Sequence, residues 1–200
     1  MGLGTLFVSF GISLTLKSGR GMDTISVLAA GIHVVVNKFF SISFGTALIT
    51  AQIFAFFVVA AWNFRELKIG SVISFLLVGQ FVNFFGFLLK YVTTPNLAVS
   101  LCLLLFGIPF LGAGIGLGLA ANLGATPLDL IPNLAAKTMN KKISLVRICA
   151  DISYGVIGVI LGGKASVGLG TILCMLFIGP CIGKTIWFCN KHFPWLAGHD

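Results

Sequence analysis

Charge is what this sequence has least of. Only 9% of its 200 residues are charged, against 58% hydrophobic, and the mean hydropathy is +1.07. An average soluble domain is about 25% charged. So few ionic groups cannot cover the outside of a water-facing fold, which excludes a soluble protein and leaves an integral membrane protein. The lysines and arginines outnumber the acids, giving a net charge of +8. No basic stripe interleaved with aromatics accompanies that excess, so nucleic acid is not expected. The cations fall mainly in loops, where they hold topology and meet anionic lipid headgroups. The bilayer is the partner they imply.

Catalytic and metal-ligating patterns are missing too. Cys102, Cys149, Cys174, Cys181 and Cys189 include no C-x-x-C pair, and the histidines are not spaced as co-ligands. These thiols are expected to be reduced and to pack between helices, with no metal and no disulfide framework. No Ser-His-Asp set, H-E-x-x-H or phosphate-cradling G-x-x-x-x-G-K-S occurs. The G-x-G-x-x-G-like spacing lies within an apolar run rather than after a strand. Neither an enzyme nor a cofactor is expected. The N-terminus lacks a basic n-region, so the first apolar run should stay as a helix. Leu6 stands where a myristoylation signal needs Ser or Thr.

What is present is a series of apolar runs. Six are near spanning length: 2–16, 44–62, 69–89, 97–121 (interrupted by Pro109 and glycines), 143–161 and 167–188. Two more, 24–36 and 130–138, are too short to span as helices, since crossing takes about 20 residues. Each short run follows a glycine-rich break. The first holds Lys17, Gly19, Arg20, Gly21 and Asp23; the second is Asn-Leu-Gly-Ala-Thr-Pro-Leu-Asp at 122–129.

The two halves align. Gly11-Ile12 matches Gly114-Ile115, and Gly21 matches Gly124, which sets Ser26 opposite Asp129. After small gaps Thr46 faces Arg147, Thr50 faces Asp151, Gly70-Ser71 faces Gly170-Thr171 and Gly79 faces Gly179. The chain is therefore expected to be a single membrane domain, 1–200, with repeat one at 1–92, repeat two at 97–190 and a polar tail at 191–200. The expected class is an all-α polytopic protein of about six spans plus two short broken or re-entrant helices. Three spans per repeat would make the repeats inverted in topology, a plan shared by many secondary transporters. If both short runs span, there are eight helices and the repeats are parallel. Counting Lys and Arg on either side of six spans gives eight against five, which favours cytoplasmic termini.

An interrupted helix exposes backbone groups that hydrocarbon does not satisfy. The start of the following short helix offers free N–H donors and a partial positive charge. Asn122, Gly124, Thr126 and Asp129 in the second break, and Ser26 in the first, are therefore candidate solute-binding residues. Thr126-Pro127-Leu128-Asp129 also fits a capping box with Pro127 at the first helical position. Arg147 and Asp151, spaced i,i+4, complete the candidate set. They can pair on one face, or Arg147 can snorkel to the basic loop before it. The first break, with Lys17, Arg20 and Asp23, is expected to be wet. Gln52, Gln80 and Asn83 are expected to bond between helices, and His33 to titrate if it lines a cavity.

The paired G-x-G and break, the Asn122–Asp129 segment, R-x-x-x-D at 147–151 and V-G-x-G-T…G-P at 167–180 resemble the YczE/YyaS/YitT-type bacterial integral membrane proteins, the YczE-like branch in particular. The resemblance covers nearly the whole chain. Gly21-Met22-Asp23-Thr24 departs from it, replacing a small residue followed by Ser-Pro. The resemblance implies a bacterial inner-membrane protein without assigned catalytic residues. Members have been linked to proposed small-molecule transport and to support of a membrane-associated biosynthetic system. The function expected first is a small-solute transporter with a midplane site between the repeats. One alternative is a non-transporting scaffold or regulator of a biosynthetic enzyme system. Another is a solute-binding membrane subunit that needs a separate energising module. A homo-oligomer or a partner membrane protein is compatible with each.

Overall fold

The computed structural model describes residues 2–92, 96–121 and 125–193. Among them it is all helical, with eight α-helices: α1 Gly2–Ser18, α2 Thr24–Val36, α3 Phe44–Asn63, α4 Ile69–Leu88, α5 Leu97–Ala120, α6 Pro127–Met139, α7 Ile143–Ile160 and α8 Leu169–His192. Helix α5 runs unbroken through Pro109, so the expected interruption there does not occur. Helix α6 begins three residues before the expected start at 130, because Pro127 presets the helical φ at the first position. It ends at Asn140, whose φ of 51° places it in the left-handed region that terminates helices.

By length and composition, Phe44–Asn63, Gly70–Tyr91, Leu97–Ala120 and Leu169–His192 can each cross a membrane. Helices α2 and α6 have 13 residues each. At 1.5 Å per residue they reach about 20 Å, short of the roughly 30 Å hydrocarbon core.

The core is shared by all eight helices. Val8, Ile12, Ala29, Leu48, Val78, Ile108, Leu128, Tyr154 and Ile178 belong to one buried cluster. The outer surface is apolar as well: Phe54, Phe57, Phe106, Ile160 and Leu176 are each more than half exposed. In water so much exposed apolar side chain is an aggregation liability. Against lipid it matches the solvent.

Glycine sets how closely the helices approach. A Cβ on Gly4 would stand 3.1 Å from Gly114 O, and one on Gly11 would stand 2.8 Å from Gly107 O. Rising numbers on α1 meet falling numbers on α5, so the two helices are antiparallel with backbones nearly touching. Gly31 of α2 meets Gly158 of α7 in the same way, a Cβ falling 2.5 Å from Gly158 O. Helix α1 packs on α4 and α5, α2 on α3 and α7, α3 on α4 and α6, α6 on α7, and α8 on α5 and α7. Exchanging α1–α4 for α5–α8 turns this set of pairs into itself; a smaller α2–α8 contact has no counterpart of similar size between α6 and α4 among the described residues.

Gly158→Val is expected to lower stability by about 1–3 kcal/mol through overpacking, read as a fall in the unfolding midpoint of the detergent-purified protein. Gly86→Ala, at an exposed helical site with nothing within 4 Å of the added Cβ, should leave the midpoint unchanged or slightly raised.

Candidate functional site

Four acidic or basic side chains are buried among the described residues: Asp23, Asp129, Arg147 and Asp151, none more than 4% exposed. Arg147 and Asp151 lie one helical turn apart on α7, which puts both on one face. Asp129 sits in the first turn of α6. Arg147 joins them, with Nη1 donating to Asp129 Oδ1 at 2.7 Å and Nε bonding the Asp151 carboxylate at 3.3 Å. It is 3% exposed and does not snorkel. A charge at membrane depth is costly unless paired, and pairing with both carboxylates draws the guanidinium inward.

The same face of α7 holds the starts of both short helices. Asp151 Oδ1 accepts a 2.8 Å hydrogen bond from Thr24 Oγ1, at the first residue of α2. The Tyr154 hydroxyl donates to Leu128 O at 3.1 Å, at the second residue of α6. From the other side, Gln52 Oε1 on α3 accepts from Leu128 N at 3.0 Å. The first turns of α2 and α6 thus meet donors and acceptors from facing helices, where water is scarce.

The expected capping box at Thr126 does not form. Thr126 is the N-cap residue with Pro127 next, as expected, but its hydroxyl donates to Asp129 Oδ2 instead of accepting from the backbone. With its other oxygen on Arg147, Asp129 is tied to side chains rather than to the helix end. The first break is also different from expectation. Asp23 is 4% exposed and caps α2 by accepting from Ser26 N at 3.1 Å, so it is not wet. Helix α8 covers that break. Gly170 N donates to Arg20 O at 2.9 Å, and a Cβ on Gly21, whose φ is +115°, would strike Gly168 N at 2.7 Å.

Of the other candidates, Ser26 is fully buried, while Asn122 and Gly124 lie outside the described residues. Thr46 and Thr50, aligned with Arg147 and Asp151, are exposed; Gln52 is the α3 residue that meets a short-helix start. Asn83 bonds between helices as expected, accepting from Gly45 N at 3.1 Å, and Gln80 is exposed. His33 lines no described cavity; its ring bonds Ile42 O and Asn37 at the turn into α3. Thr24 and Tyr154 went unnoticed in the sequence. Tyr154 is three residues beyond Asp151 and seven beyond Arg147, a spacing that places it on their face.

Two narrow cavities meet at Asp129. One, about 20 Å³, lies among Thr5, Val8, Ser74, Ile115, Thr126 and Asp129. The other, about 10 Å³, lies among Leu119, Asp129, Pro132, Arg147 and Ile182. Each has room for about one water.

Residues 1–186 match DUF6198, a family of unknown function. The chain belongs to that family. It is 29% identical over 180 residues to a Bacillus subtilis protein described as the uncharacterized membrane protein YczE, covering 88% of this chain and 79% of that one. An uncharacterized protein of Haemophilus influenzae is 29% identical over 178 residues, covering 88% and 76%. The uncharacterized protein YyaS of Bacillus subtilis is 23% identical over 194 residues, covering 96% and 93%. No solved structure matches. The expected YczE-like relationship therefore holds, and the relatives together with the apolar helices point to a bacterial membrane protein. Its DUF6198 membership attaches no chemistry to the buried cluster, which has to be read from its geometry.

Replacing Arg147 by Met strands two buried carboxylates. It is expected to cost about 3–5 kcal/mol, measured by denaturant unfolding in detergent micelles. Adding Asp129→Asn to Arg147→Met should recover part of that loss, the non-additivity reporting the ion pair.

Proposed function

We propose that this DUF6198 protein carries a small solute across the bacterial inner membrane, through a site between two inverted repeats. The observation that carries the reading is the network Asp151–Arg147–Asp129 at the starts of two short helices. Intramembrane ionisable groups are expensive and mark solute or ion pathways. Short-helix starts at membrane depth are a recurring way to build such sites in transporters. In this reading Asp129 and the first-turn amides of α6 meet the solute, while Arg147 and Asp151 exchange partners as the solute enters.

Other features support the arrangement. The equivalent helices α1 and α5 pack antiparallel, as a two-fold axis in the membrane plane demands. The Gly4–Gly114 contact becomes the Gly11–Gly107 contact when each residue is replaced by its counterpart 103 positions away. Lys137 Nζ pairs with Glu66 at 2.9 Å, and Lys17 Nζ reaches Lys90 O at 3.2 Å. Each contact joins segments that the six-span topology puts on one side of the membrane. With Arg147 left out of the count as buried, seven cations against five still favour cytoplasmic termini.

Alternating access would rock one repeat against the other about the α1–α5 contact and open the cavities at Asp129 in turn. Proteoliposomes should accumulate at least one member of a panel of radiolabelled amino acids, amines and sugars above protein-free vesicles, with Asp129→Asn lowering the rate tenfold or more. Failure with the whole panel, together with full rescue of a deletion phenotype by Asp129→Asn, counts against transport and for a scaffold. Single cysteines placed in α2 and α6, on a background without native thiols, should label from opposite membrane faces. Labelling of the two ends of either helix from both faces would mean that it spans.

A further inference from the structure

The buried charges do not balance. Three carboxylates, Asp23, Asp129 and Asp151, stand against one guanidinium. Both ion pairs of Arg147 go to Asp129 and Asp151, and Asp23 is in neither. Asp23 Oδ2 accepts from Ser26 N, but Asp23 Oδ1 has no hydrogen-bond partner although it is buried. The hydroxyl of Ser26, in the same turn of α2 and 0% exposed, has none either. An ionised carboxylate with a bare oxygen, shielded from water, is held at high cost.

The groups around it do not supply the missing charge. From α7 it faces the field of Asp151 and Arg147, the latter already paired twice. From α8 the ionisable group coupled to it is the Cys174 thiol. Helix α3 carries no ionisable residue over 44–63. Lys164, in the turn between α7 and α8, and Arg20 are exposed, and Lys17 donates to Lys90 O. Among the described residues no group of three His, Cys, Asp or Glu could hold a metal ion.

We propose that Asp23 is a proton-binding site. An O–H bond forms on Oδ1 with a proton taken from water, which neutralises the surplus charge on a buried oxygen that no other group pairs. Release returns the proton to water and leaves the carboxylate. Asp23 adjoins Thr24, and Thr24 bonds Asp151, so gain or loss of this proton is felt at the Arg147 network. The use of that proton as a coupling ion rests on the transport reading; its binding does not.

The test is infrared difference spectroscopy of the purified full-length protein in lipid nanodiscs, stepping from acidic to alkaline buffer in choline chloride with no solute. A protonated-carboxyl C=O band should be lost on the alkaline step. Labelling with [4-13C]aspartate should shift it, and Asp23→Asn should abolish it. Asn still accepts from Ser26 N at the helix cap, so this variant should keep the parent unfolding midpoint. If Asp23→Asn does not fold, retention of the whole band in each of Asp129→Asn, Asp151→Asn and Asp200→Asn supports Asp23, and its loss in any of them overturns the proposal. No band in the parent protein, or a band that survives Asp23→Asn, also overturns it. Removal of the band by sodium chloride at constant pH would overturn it in favour of a metal cation. None of these readouts involves uptake, so they separate proton binding from transport.

Discussion

The fold depends on where Arg147 places its guanidinium. Hydrocarbon offers no water to solvate a cation, and the charge lies one turn into α7, close enough to the basic 140–142 segment for its side chain to have turned outward. It turns inward because two carboxylates wait there, one on its own helix and one at the start of α6. That choice orients α7, fixes the face that receives α2 and α6, and brings an otherwise separate pair of short helices to one place. An apolar pair of similar volume could fill the same space and would often be at least as stable. In the transport reading, the polar solution is kept for the solute path and not for stability.

Around this centre glycine sets the closest helix contacts, beside a core of interlocking side chains. Lipid tails are as apolar as leucine, so helix association in a membrane draws on close van der Waals contact instead of on exclusion of water. Gly11 against Gly107 and Gly31 against Gly158 supply that contact. Bulky residues also cover the outside, where Phe54, Phe106 and Ile160 face outward. The surface is thus as apolar as the core, the reverse of a soluble bundle.

Much of this was legible before the structure. The eight helical segments lie close to their expected bounds because apolar runs and their breaks are strong signals. Asp151 was recognisable as buried because a lone acid deep in an apolar run has nowhere to go but inward. Three readings failed for identifiable reasons. Thr126 and Asp129 match a capping box by spacing, but Arg147, eighteen residues on, competes for the carboxylate, and local pattern does not reveal a distant partner. The neighbours Lys17 and Arg20 suggest a wet Asp23, whereas the start of α8 closes over this break, an approach that no nearby residue announces. The alignment that set Thr50 opposite Asp151 compared chain positions; the contact geometry puts Gln52 in that role, two residues along and on the opposite side of α3.

The two short helices differ in when their partners exist. The start of α6 is met by Gln52, from a helix made well before it, and by α7, which follows at once. The start of α2 is closed by Asp151, 127 residues further along from Thr24, and by the opening of α8. During synthesis α2 therefore emerges with Asp23 and Thr24 lacking their final surroundings until almost the whole chain has been made. Its docking is a late event in biogenesis, and the first half of the molecule cannot reach its finished form before the second half has entered the membrane. The earliest polar element of the chain thus draws its partners from the latest ones.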